Sequence, residues 1–115
     1  MDFTFSEEQL ALRNSTRDFL TSEVTCERLR QQWESGNSTD IDLWNDMLDL
    51  GIISATIPGD LGGSGLNYVD FVLLAEECGY AALSEPVAYT ALVVVPLLLE
   101  VDSTISRELL SDIAK

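Results

Sequence analysis

The sequence predicts an all-α fold, a helical bundle of about five helices, on three observations. Apolar residues recur at helical spacing in segment after segment. Ser6, Thr39 or Asp40, Asn67 and Ser103 stand where N-caps belong. Gly51 and Pro86 sit where one segment stops and another starts.

The first segment, "FTFSEEQLALRNSTRDFLTSEV", opens on Ser6 with Gln9 three residues on, a capping box. Phe5 can staple to Leu10, and Leu12, Thr16, Phe19, Leu20 and Val24 follow one face. Arg13 and Arg17, one turn apart, read as a solvated face. In "STDIDLWNDMLDLGI", Thr39 or Asp40 caps a helix with Trp44, Met47 and Leu48 on its apolar side. Gly51 takes the left-handed C′ place, and Ile52 folds back on Met47. "IISATIPGD", short and close to Pro58, reads as an extended segment entering a glycine loop.

Asn67 with Asp70 caps the third helix, "YVDFVLLAEECGYAA". Its apolar positions Val69, Val72, Leu73 and Ala75 spread over more than one face, and Gly79 suggests a close helix crossing. The fourth helix begins at Ser84 and Pro86; "VAYTALVVVPLLLEV" is apolar all round and should kink at Pro96. Ser103 starts the fifth, "TISRELLSDIAK", with Ile105, Leu109 and Ile113 spaced four apart. The expected core is Phe19, Trp44, Leu48, Val72, Leu73 and Leu92.

A chain of 115 residues with 46% hydrophobic residues makes one globular domain. Its net charge is −14, with no Lys or Arg between Arg30 and Arg107, which excludes nucleic-acid binding by phosphate neutralisation. It has no histidine, and its two cysteines, Cys26 and Cys78, form no CxxC pair. Zinc patterns, a disulfide framework and histidine-activated nucleophiles are therefore excluded. Met1 to Gln9 is acidic and lacks the apolar core of a secretory leader. The longest apolar stretch, residues 87–99, is broken by Tyr89, Thr90 and Pro96 and is too short to span a bilayer. A cytoplasmic protein is expected.

The loop "IPGDLGGSGLNYVDF" poses the sharpest question, because glycines ahead of a helix can cradle a phosphate. Asp60 and Asp70 lie in or beside it and no cation is near in sequence, so Gly62, Gly63 and Gly65 read as turn residues. The fourth helix needs more cover than its neighbours supply, and the last helix runs to Lys115 without a glycine cap. Both suggest a piece whose partners lie outside this sequence; a homo-oligomer burying the same surface is the alternative.

"MDFTFSEEQLALRNSTRDFL" resembles the opening of the acyl-CoA dehydrogenases. "LWNDMLDLGIISATIPGDLGGSGLNYVDFVLLAEECGYAALSEP" is similar to the same family in its W…L…LG, IP…GG.G and EE.G succession. The likeness runs through residues 1–115 and implies the family's N-terminal helical domain, without the β-barrel and C-terminal helical bundle that come after it in the family. It further implies an oxidoreductase of fatty acid or lipid metabolism, a flavoprotein that uses FAD to desaturate acyl-CoA thioesters between the α and β carbons. The base of that reaction and most FAD contacts belong to the absent domains, so no catalytic or cofactor-binding residue is assigned here; Glu76, Glu77 and Glu85 read as solvated or capping.

The resemblance also implies that the helix from Pro86 to Val101 walls the far end of the acyl cavity. Glu85, Ala88, Tyr89, Leu92 and Pro96 are the candidates on one side of it, with ordinary core packing the alternative for each. Alone, the chain is expected to be inactive. Its partners would be acyl-CoA through the complete protein, the remaining domains or homologous subunits, and further copies in an oligomer. A stand-alone helical module that completes another chain's site is the competing reading. The acyl group and the electron acceptor, dehydrogenase against oxidase, stay open.

Overall fold

The computed structural model describes residues 4–115. The first three residues of the acidic N-terminal stretch, and of the family-like opening, lie outside them. Among the described residues there are helices and turns and no strand, as the fold class requires.

Helix α1 (Glu7–Glu23) starts at the expected capping box of Ser6 and Gln9. A helix the sequence did not announce, α2 (Cys26–Ser35), comes next, capped by Thr25 and closed by Gly36 at φ 72. Asp40 caps α3 (Ile41–Asp49), accepting from the amides of Asp42 and Leu43. Gly51 adopts φ 74, and the amide of Ile52 donates back to Met47 at 2.9 Å, the left-handed stop expected of it.

Residues 52–57 are not extended. They form successive turns, every one of them buried, and lead into a short 3₁₀ turn (Gly59–Leu61). Asn67 and Asp70 make the capping box of α4 (Tyr68–Tyr80). The fourth predicted helix is a composite: α5 (Val87–Tyr89), a π turn (Thr90–Val94) and α6 (Val95–Val101). Asp102 then turns the chain into α7 (Thr104–Ile113), capped by Ser103.

The core gathers Leu20, Leu43, Met47, Ile53, Phe71, Leu74, Val87 and Ala91; a smaller cluster joins Ile57, Val95 and Leu110. Phe19, Trp44 and Leu48 pack on the margin of the main cluster, and Leu73 is buried as expected. Val72 and Leu92 are exposed instead, because α4 and the composite helix each turn a narrower stripe inward. On α7 the inward stripe is Ser106 and Leu110, while Ile105 and Leu109 face out. Gly79 faces open space, so no helix crosses closely there.

Helix α1 lies along α4, and polar contacts fasten the seam. Gln9 Nε2 donates to Asp70 Oδ1 at 2.6 Å, and Arg17 donates through Nε and Nη2 to both oxygens of Glu77 at 2.6 and 2.9 Å. Glu77 is 1% exposed and so is not the solvated carboxylate the sequence suggested, whereas Arg17 stays exposed, as expected, while reaching in to pair with it. Arg17 is the partner that a buried carboxylate requires.

Candidate functional site: the outer flank of the composite helix

Spacing and proline decide how the composite helix sits. Val87, Ala91 and Val95, four apart, are fully buried and anchor it to the core. Pro96 has no N–H, and its ring crowds the carbonyl four residues back. The chain answers with the π turn just before it, where the amide of Val95 donates to Thr90 rather than to Ala91. The disturbance foreseen at Pro96 thus takes the form of a widened turn.

The proposed wall residues divide into three places. Ala88, Tyr89 and Leu92 stand together on the outward flank, Tyr89 62% exposed, with Val93 and Leu97 extending the apolar surface. Pro96 lines a cavity of about 180 Å³ with Thr56, Leu66, Asn67, Tyr68, Val95 and Leu99. Glu85 is not on that flank. It precedes the helix and is buried, its Oε1 accepting from Gln32 Nε2 at 3.2 Å and from the Asp40 amide at 3.0 Å. Leu99 follows Pro96 by three residues on α6, whereas Thr56 and Tyr68 carry no sequence signal for this place, because they come from separate segments that only the fold brings beside Pro96.

Two more of the arginines are held by carboxylates. Arg28 donates to Asp40 at 2.6 Å and to Glu23 at 3.0 Å, and Arg107 is held by Asp60 and Asp102. The Arg28 hydrogen bond pulls the Asp40 carboxyl below its ordinary range, helped by the amides it caps and opposed by desolvation. Burial pushes the Cys78 thiol up to about 11, so it is no thiolate nucleophile. Among the described residues no group of side chains could hold a metal.

The glycine loop is a turn, as its charge suggested. The successive amides of Gly62, Gly63, Ser64, Gly65 and Leu66 donate to the carbonyls of Gly59, Pro58, Ser54, Ile57 and Ala55, leaving none of those amides free for a phosphate. At the α4 N-terminus, the side chain of Asn67 takes the amides of Val69 and Asp70. Neither the glycine loop nor the capped α4 N-terminus therefore presents a set of free amides for a phosphate.

The described residues thus form an all-α domain whose composite helix is anchored on one side and apolar and exposed on the other. The family pattern described as "Acyl-CoA dehydrogenase, N-terminal domain" matches residues 6–115. The chain belongs to the acyl-CoA dehydrogenase family and is its N-terminal domain. It is 36% identical over 73 residues to the caffeyl-CoA reductase–Etf complex subunit CarC of Acetobacterium woodii, covering 64% of this chain and 19% of that protein. To the mitochondrial isovaleryl-CoA dehydrogenase of Pongo abelii it is 32% identical over 88 residues, 75% of this chain and 20% of the relative. To the probable acyl-CoA dehydrogenase YngJ of Bacillus subtilis it is 30% identical over 95 residues, 81% and 24%. The chain thus spans about a fifth to a quarter of these three curated relatives. No solved structure matches it.

Proposed function

We propose that this domain forms part of the acyl-pocket wall of an FAD-dependent acyl-CoA dehydrogenase and is inactive alone. The observation that carries this reading is the Ala88, Tyr89 and Leu92 flank, apolar and outward on a helix whose other side is locked into the core. Bound FAD supplies the hydride acceptor for α,β-desaturation. This chain's residues supply shape: Tyr89 and Leu92 present bulk that limits the acyl group, and Pro96 borders a recess for its end. Glu85 supports the wall from beneath, holding α2 and α3 to the start of the helix through Gln32 and Asp40. The FAD and CoA phosphates are left to the rest of the enzyme, in this chain or in a homologous subunit. A cytoplasmic oligomer is the expected setting; among the described residues no helix is long and apolar enough to cross a membrane.

Two measurements test the reading. The 115-residue chain purified alone should be colourless and should not reduce a dye with acyl-CoA. In the complete flavoprotein, Tyr89→Ala should admit longer acyl groups and Tyr89→Trp should exclude them, each methylene step discriminated by about tenfold in kcat/KM. Flavin binding by the chain alone, or an acyl-length profile indifferent to both variants, would overturn it. If the complete protein holds flavin yet the Tyr89 variants change nothing, the flank serves packing or docking rather than acyl selection.

A further inference from the structure

In a regular α-helix the amide of Val95 would donate to the carbonyl of Ala91, four residues back. Here it donates to Thr90, and the next residue, Pro96, has no N–H to offer. Both helical donors that could reach the Ala91 carbonyl are thereby removed, while Ala91 is fully buried. A dry carbonyl without a partner is strongly unfavourable. Thr56 provides the partner, its Oγ1 donating to Ala91 O at 3.2 Å from within the core.

Thr56 is itself held tightly. Its neighbours Ala55 and Ile57 accept from the amides of Leu66 and Gly65, both at 2.8 Å. Gly63 closes on the carbonyl of Ile57 so nearly that any Cβ there would collide with it. The glycine loop therefore fixes Thr56, and Thr56 sustains the π turn. A π turn adds one residue to the helical register, a rotation of about 100° between the helical segments on its two sides. That rotation sets how Tyr89 and Leu92 stand relative to the recess beside Pro96.

We propose that Thr56 is a positioning residue for acyl-chain selection: its hydroxyl holds the π turn and so fixes the register of the wall. This inference rests on the acyl-wall reading. Thr56→Val keeps the shape of the side chain and removes the hydroxyl, whereas Thr56→Ser keeps the hydroxyl and removes a methyl. In the 115-residue chain, Thr56→Val should speed amide exchange at Val94 and Val95 by about tenfold or more, and Thr56→Ser should stay near the parent. In the complete flavoprotein, Thr56→Val should change the ratio of kcat/KM between short and long acyl-CoAs by about tenfold, and Thr56→Ser should restore it.

Unchanged exchange in Thr56→Val, or a uniform loss on every acyl-CoA with the ratio preserved, would overturn the proposal. If Thr56→Val does not fold, adding Pro96→Ala, which returns an N–H beside the stranded carbonyl, should recover folding; no recovery overturns it as well. A complete protein that turns over no acyl-CoA overturns the wall reading and the selection role together, while the exchange measurement still decides whether Thr56 holds the turn.

Discussion

Glu77 takes hydrogen bonds from two nitrogens of one arginine, and the arginine comes from another helix. The guanidinium of Arg17 also lies 5.3 Å from the centre of the Tyr80 ring, so one side chain ties α1 to two residues of α4. The cost of losing it lies in the charge left behind rather than in the bond itself. Arg17→Leu should therefore lower the urea midpoint clearly, and adding Glu77→Leu should raise it again toward the parent; additive losses would refute this. Asp40 gives the pH counterpart. Its folded pKa is lowered, chiefly by the hydrogen bond from Arg28. That contribution is complete above the unfolded value of about 3.9, declines below it and is gone once pH falls through the folded value. Asp40→Asn keeps a good N-cap but removes the titration. Comparing unfolding at pH 7 and pH 3, the parent should lose more stability than the variant.

At the scale of elements, two glycines make opposite predictions. Gly63 has no room for a Cβ against the Ile57 backbone, which is fixed by its own hydrogen bond from Gly65. Gly63→Ala should cost about 3 kcal/mol or more by chemical denaturation, the upper range for overpacking a rigid site. Gly79 lies within α4 facing open space, and Gly79→Ala should stabilise by about 0.5–1 kcal/mol through helix propensity. The same contrast explains what the sequence could disclose. Local hydrogen-bonding signals translated directly: the caps at Ser6, Asp40, Asn67 and Ser103 are all in place. Helix α2 had its caps, Thr25 and Gly36, but no apolar stripe between them, since "CERLRQQWES" buries only Gln32 and leaves Trp33 outside. On α7, Ile105 and Leu109 formed a plausible stripe, but the neighbours present cover the one through Ser106 and Leu110. The exposed flank of the composite helix was half legible for the same reason. Helical spacing was enough to set Ala88, Tyr89 and Leu92 on one exposed flank, whereas the burial of Glu85 and the arrival of Thr56 depend on chain segments remote in sequence.

The whole molecule is a slab, 40 × 38 × 20 Å, about two helices thick. Its accessible surface is 7214 Å², against about 6,200 Å² for a compact monomer of its mass. Flatness keeps one side of the composite helix uncovered, so Tyr89, Leu92, Val93, Leu97 and Val101 remain exposed together along it. A contiguous apolar strip of that kind favours association. The net charge of −14 opposes it, since identical acidic slabs repel one another. Salt decides the balance: near 0.1 M the Debye length is about 10 Å, and repulsion between approaching faces is largely screened while apolar contact is not weakened. Sedimentation of the 115-residue chain should therefore show more self-association as salt rises from about 0.01 M to 0.5 M, reversible on dilution at each step. Leu97→Glu, placing a charge in the strip, should abolish the association at every salt concentration. A parent chain that stays monomeric throughout would mean that the strip is too narrow to drive association by itself. Association that weakens with salt would point to charge pairing between copies, contrary to the apolar contact argued here.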